Sequence, residues 1–123
     1  MSKLKDLIGQ TMVSVENVDG RELLFTAVDG KKYKLHHDQD CCESVGIESV
    51  VGDLSDLVGD PLLIAEKSTS KEHPAGYTQS QYEESFTWTF YKFATRKGYV
   101  DVRWFGESNG YYSESVDFDM VTN

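Results

Sequence analysis

The sequence predicts a small, mostly β domain (a β-rich α+β class) with an antiparallel sheet structure and one or two short helical turns. Seven or eight short segments alternate apolar with polar residues, or are rich in β-branched and aromatic residues, as strands are. Glycine-containing pairs that favour tight turns separate several of them. These observations leave a roll, a barrel and a sandwich open. The length of 123 residues suits a single domain, residues 1–123.

The first part of the chain predicts a short helical turn followed by a meander of three strands. Two Asp-Gly pairs, at residues 19–20 and 29–30, supply the tight turns between the strands. The helical turn covers residues 3–8, and the strands cover residues 11–15, 22–28 and 31–36.

The middle of the chain predicts a strand, a second helical turn and a buried strand. Residues 44–51 alternate, and Asp53 is placed to cap a single helical turn that a glycine and a proline end. Residues 62–67 form a short apolar run, and residues 68–85 are polar and loop-like. The candidates for the inner face of residues 44–51 are Val45, Ile47 and Val50.

The aromatic strands predict the centre of the core. Residues 86–95 are the strongest strand in the sequence, and residues 99–105 return after a Lys-Gly turn. Alternation in the first of them places Phe86, Trp88 and Phe90 on one face. It places Thr87, Thr89, Tyr91 and Phe93 on the other. After an Asn-Gly turn signal, residues 111–118 supply a last strand.

The charge of the chain is acidic and uneven. The chain has 21 acidic and 12 basic residues, a net charge of -9, which argues against direct nucleic-acid binding and against a basic membrane anchor. No apolar run is long enough to span a membrane, and no signal peptide is evident. Residues 35–66 hold eight acids and no Lys or Arg. This stretch is either a solvated surface or an acidic patch, including Asp53 and Asp56, that meets a cation or a basic partner.

The densest polar cluster lies in residues 36–43. We interpret this cluster either as the loop between two strands or as a loop that binds a partner or ligand. The candidate binding residues in the second case are His36, His37, Asp38, Asp40 and Glu43. A third interpretation is a zinc site of His37, Asp40, Cys41 and Cys42, although the ligands are more crowded than in known zinc sites. A disulfide between adjacent cysteines is strained, so we expect both to be reduced, in a cytoplasmic setting.

A second constellation surrounds the Asn-Gly turn signal in residues 104–114. Aromatic rings near Ser, Asn and Gly are typical of recognition surfaces, although the same residues could cover the edge of a small core. The candidate binding residues here are Trp104, Asn109, Tyr111 and Tyr112.

Two signatures in these clusters carry a family resemblance. They are HDQDCCE at residues 37–43 and SNGYYS at residues 108–113, accompanied by Gly-Asp pairs at 52–53 and 59–60. The chain thereby resembles a family of small uncharacterised proteins of tailed bacteriophages and prophages, over most of residues 10–120. The resemblance implies a phage context and supplies no catalytic residues.

The favoured function is that of a small, acidic, non-enzymatic binding protein of phage type. It would inhibit or sequester a host protein or a small molecule in the host cytoplasm, as a counter-defence device. The alternatives are a zinc-binding protein or hydrolase centred on residues 36–43, and a structural or assembly component of the virion. No catalytic residue set stands out, no cofactor other than zinc is expected, and a homo-oligomer is left open.

Overall fold

Two four-stranded antiparallel sheets make up the protein in the computed structural model, which describes residues 3–39, 42–71, 85–108 and 113–121. The strands are β1 (Met12–Val18), β2 (Glu22–Ala27), β3 (Lys32–His36), β4 (Ser44–Val51), β5 (Ile64–Ser70), β6 (Ser85–Thr95), β7 (Gly98–Ser108) and β8 (Asp117–Val121). Two short 3-10 helices, Leu4–Leu7 and Leu54–Leu57, accompany them. The predicted mostly β class is therefore confirmed. Within the described ranges no helix is long and apolar enough to cross a membrane.

The first sheet has the strand order β1-β2-β3-β8, and the second has the order β4-β7-β6-β5. The predicted meander of β1, β2 and β3 is confirmed. At its first turn Asp19 and Gly20 have positive φ angles of 54° and 72°, which such a tight turn requires. β8 does not pair with the strand that precedes it. It pairs with β3, in a register that sets His36 opposite Asp117.

The two sheets pack face to face as a sandwich. The rings of Phe25 in β2 and Phe93 in β6 meet edge to face, with centroids 5.1 Å apart. Because side chains alternate along β6, Tyr91 and Phe93 join this core while Phe86 and Phe90 point to the opposite, outer face of the second sheet. One buried hydrophobic cluster draws residues from both sheets, as sheet-on-sheet packing requires.

The 3-10 helices close the borders of this core. Leu7 in the first helix and Leu57 in the second are fully buried. Asp53 caps the second helix as predicted, because its carboxylate accepts a hydrogen bond from the Ser55 N–H at 2.9 Å. β5 begins later than predicted because Leu62 forms an isolated bridge with the segment after the first helix instead.

Trp104 lies in the core, which corrects its prediction as a surface-binding residue. Its side chain is fully buried on the inner face of β7 with Val100 and Val102. Alternation along the strand fixes this direction, so the nearby turn does not bring the ring to the surface.

Candidate functional site

The first predicted cluster, residues 36–43, meets residues 115–119, which follow the second predicted cluster, at one end of the sandwich. The Nδ1 of His37 lies 2.7 Å from the carbonyl oxygen of Ser115, and the Nε2 of His36 lies 2.7 Å from a carboxylate oxygen of Asp119. Pairing of β8 with β3 produces this contact, because it brings residues 115–119 alongside the end of β3. His37 and Ser115 are 78 residues apart in the sequence, and the strand pairing brings them into contact.

His37 and Glu43 form a buried pair within this junction. The Nε2 of His37 lies 2.8 Å from Oε2 of Glu43, and the two side chains are 5% and 0% exposed. Because the Ser115 carbonyl can only accept, Nδ1 of His37 carries a proton and donates it. The contact with Glu43 is a second hydrogen bond, so both ring nitrogens of His37 have partners. Because both side chains are almost fully buried, the pair ties the loop to the 113–116 segment and offers little surface to a substrate.

Glu114 is a second buried carboxylate, in the segment that also contains Ser115. Thr87 in β6 donates a hydrogen bond to it at 2.8 Å, and Ser108 and Ser85 also donate. Burial opposes its ionisation, but these hydroxyls and the nearby Lys71 outweigh that effect, and the pKa of Glu114 lies below its ordinary value. Glu114 therefore anchors the 113–116 segment onto the second sheet as a charged group.

The predicted zinc ligands do not form a site in the part of the chain that the structure describes. Within it, no group of three or more His, Cys, Asp or Glu side chains is arranged to hold a metal ion. Cys42 is disulfide-bonded, so the expectation of reduced cysteines is wrong for this structure. A disulfide sulfur lacks the thiolate that binds zinc. Asp40 and Cys41 lie outside the described residues.

The acidic stretch is largely paired inside the molecule. Asp60 lies 2.8 Å from Arg96 and 3.6 Å from Lys97 at the β6–β7 turn. His36 lies 3.4 Å from Asp38. Glu48 pairs with Arg103, Asp53 caps its helix and Glu43 is buried against His37. Among the described acids of this stretch, Asp56 and Glu66 therefore have no charged or hydrogen-bonding side-chain partner. The stretch is therefore not a continuous acidic surface.

A cleft of about 470 Å³ lies on the outer face of the second sheet. Cross-strand pairing arranges its lining in two rows. The first row runs Glu66, Lys92, Asp101 and Val51 from β5 to β4. The second row runs Ser68, Phe90, Arg103 and Ser49. The volume lies within the range of about 300–1,000 Å³ that is typical of ligand sites. We call this cleft the sheet cleft.

The sheet cleft is open because its two long cations lean away from Phe90. Arg103 extends over Trp88, with its guanidinium carbon 4.9 Å from the ring centroid. Lys92 extends over Tyr99, with Nζ 5.3 Å from that centroid. Ser68 flanks Phe90 on β5 and Arg103 flanks it on β7. Because Arg103 extends over Trp88, the described residues leave the cleft beside the Phe90 ring open.

Glu48 fixes the position of Arg103 at the border of the cleft. A β-bulge between Ile47 and Ser49 makes Glu48 the extra residue of β4 and directs it toward β7. The Nε of Arg103 donates to its carboxylate at 2.6 Å, and this hydrogen bond holds the pKa of Glu48 below its ordinary value. Arg103 therefore has an aromatic ring on one side and a carboxylate on the other.

Unlike the carboxylate of Glu48, the carboxylates of Glu66 and Asp101 have no bonding partner in the part of the chain that the structure describes. Neither makes a hydrogen bond or an ion pair with any residue that the structure describes, and both line the cleft. Phe90 likewise has no ring or cation partner in those residues. The sheet cleft thus offers an unoccupied ring face and two unpaired negative charges.

The predicted site residues have separate positions in the fold. His36, His37, Asp38 and Glu43 come together with the 113–119 segment, whereas Asp53 and Asp56 lie apart on the second 3-10 helix. Three other candidates, Asn109, Tyr111 and Tyr112, lie outside the described residues.

Sequence reasoning did not select the residues of the sheet cleft. The alternation of β6 already directed Phe90 outward, away from the Tyr91 face, and could have signalled an exposed ring. No signal in the sequence shows that Glu66 and Asp101 approach it, because they belong to different strands.

Comparison with known proteins places the chain in a family without assigning an activity. The model of a family described as "Domain of unknown function (DUF7448)" matches residues 5–118, so the chain belongs to that family. No curated protein and no solved structure matches the chain.

Proposed function

We propose that this member of the DUF7448 family is a small, non-enzymatic binding protein of phage type that sequesters or inhibits a host protein in the host cytoplasm. The observation that carries the proposal is the sheet cleft, where Phe90 and the unpaired carboxylates of Glu66 and Asp101 surround an open space. An open ring face with unpaired charge beside it is the kind of surface that a partner completes.

The polar end of the sandwich supports a binding role less well than the sheet cleft does. Its histidines and buried carboxylates are already paired with one another, and the His37–Glu43 pair has almost no exposure. The same burial favours a structural role for this pair over catalysis, since a general base must reach its substrate. The phage origin and the counter-defence role rest on the resemblance in the two sequence signatures.

A capture experiment with matched variants tests the proposal. Immobilised wild-type protein, a Glu66→Gln/Asp101→Asn double variant and a Glu16→Gln control are each exposed to a bacterial host lysate. Glu16 is exposed on β1 in the other sheet, so the control removes a carboxylate without touching the cleft.

We expect one host protein to be retained by the wild type and by the control but lost from the double variant. Moderate salt should release it, because exposed charge pairs are screened over about 8–10 Å at physiological ionic strength. Retention of the same proteins by all three forms would refute the proposed site. Retention of none by the wild type would refute the proposed function.

A further inference from the structure

The outer face of the second sheet already holds one arginine in a defined way. Arg103 lies over the ring of Trp88 at 4.9 Å, and its Nε donates to the carboxylate of Glu48 at 2.6 Å. This combination satisfies both properties of a guanidinium: its flat face rests on a ring and its edge N–H groups bond a carboxylate.

The adjacent part of the same face also combines a ring with carboxylates, while its own lysine, Lys92, extends over Tyr99. Phe90 lies next to Trp88 among the outward-facing residues of β6, and it presents its ring to the cleft. Asp101 and Glu66 lie one row further along, on the two strands that flank β6. The ring and the carboxylates are present, and the protein's own cations are turned toward Trp88 and Tyr99.

We infer that the sheet cleft takes the guanidinium group of an arginine side chain on the partner protein, stacked on Phe90 and hydrogen-bonded to Asp101 and Glu66. This inference rests on the proposed function and identifies the chemistry of the partner at that same site. The overall charge of -9 complements a basic partner and favours its approach.

The combination of an aromatic ring and carboxylates in the cleft favours arginine over lysine. A guanidinium is planar and weakly hydrated, so it can stack on Phe90 while its edge donates to carboxylates at the border of the ring. A lysine ammonium is a compact, strongly hydrated charge and cannot do both in the same way.

Titration with small probes tests this inference without a host protein. The probe is Nα-acetyl-arginine methylamide, compared with its lysine counterpart and with the citrulline counterpart, which keeps the planar shape but has no charge. Amide signals of the 15N-labelled protein are followed by NMR. We expect the arginine probe to shift the signals of Ser68, Phe90 and Asp101. It should bind about tenfold more tightly than the citrulline probe, since a charge-assisted bond exceeds a neutral one by about a factor of ten in affinity. It should also bind more tightly than the lysine probe, because an ammonium cannot stack on the ring and donate to the carboxylates in the same way.

Variants show whether the probe occupies the sheet cleft. Asp101→Asn and Phe90→Leu should each weaken the arginine probe by about tenfold, whereas Glu16→Gln should leave its affinity unchanged. Glu66→Gln provides a further test at an exposed position where folding is not at risk. Unchanged thermal unfolding shows that each variant is folded.

The outcomes separate this inference from the proposed function. Equal binding of the arginine and citrulline probes, or shifts confined to other surfaces, would overturn the arginine site. If the lysate experiment still retains a partner through the cleft, the proposed function survives that result. If the arginine probe binds at the cleft but no host protein is retained, the arginine site stands and the sequestering function fails.

Discussion

Replacement of Glu114 by glutamine tests the claim that a charged carboxylate holds the 113–116 segment against the second sheet. The change keeps the shape of the side chain and removes its charge. Three hydroxyls donate to Glu114, from Thr87, Ser108 and Ser85. A hydrogen bond to a charged group contributes about 1.5–3 kcal/mol and a neutral one about 0.5–1.5 kcal/mol. Each bond therefore weakens by about 1 kcal/mol, and the expected loss in the free energy of unfolding is about 2–3 kcal/mol.

Lys71 adds little to that loss. Its Nζ lies 3.7 Å from Glu114, but its side chain is 72% exposed, and an exposed ion pair contributes about 0–1 kcal/mol. For a domain of this size a loss of 1 kcal/mol lowers Tm by about 4 °C, so the variant should melt about 8–12 °C below the wild type.

The assay is urea unfolding at pH 7 of the wild type, Glu114→Gln, Thr87→Val and the double variant. The Glu114–Thr87 coupling from this cycle should be about 1 kcal/mol. Surface substitutions usually change the free energy of unfolding by less than about 0.5 kcal/mol. A change within that range for Glu114→Gln, together with zero coupling to Thr87, would refute the proposed role of the charged carboxylate.

Three other predictions follow from the fold. The pKa of Glu114 is lower in the folded protein than in the unfolded chain, so the stability that its charge contributes is present above the unfolded-state pKa and is lost as pH falls through the folded-state pKa. The urea midpoint should therefore decline less steeply in the acid range for Glu114→Gln than for the wild type. Gly52→Ala should destabilise by about 3 kcal/mol or more in urea unfolding, because Gly52 has a φ of 109° and its new Cβ would lie 2.6 Å from a backbone oxygen. Gly30→Ala is the matched control, with a φ of 91° and open space, and should lose only about 1 kcal/mol; equal losses would show that the close approach is unimportant. Leu57→Ala should lower the free energy of unfolding by about 2–5 kcal/mol, measured by thermal unfolding, because Leu57 is fully buried. The control Leu63→Ala, at an exposed position, should lower it by less than about 0.5 kcal/mol. A small loss at Leu57 would contradict its role in closing the core.

Local patterns predicted the elements of this fold well. The alternation in β6 correctly placed Tyr91 and Phe93 on one face, which the structure shows to be the inner one. The Asp-Gly pair at 19–20 and the cap at Asp53 were also recognised, because each depends on a few neighbouring residues.

The assembly of the site depends on contacts that local patterns do not contain. The pairing of β8 with β3 brings together residues that are distant in the sequence, and it places Ser115 in contact with His37. The bulge that brings Glu48 to Arg103 also shifts the alternation of β4, and nothing in the sequence marks its position. The direction in which Arg103 and Lys92 lean depends on rings in neighbouring rows, so the open space above Phe90 could not be inferred from spacing.

The position of β8 beside β3 also affects how the chain can fold during synthesis. Strands β1, β2 and β3 are joined by tight turns and can pair as soon as they leave the ribosome, but the outer edge of β3 then presents unpaired backbone groups. That edge is covered only when residues 117–121 have been made. Throughout the translation of the second sheet, the nascent chain carries an open strand edge of the kind on which β proteins aggregate.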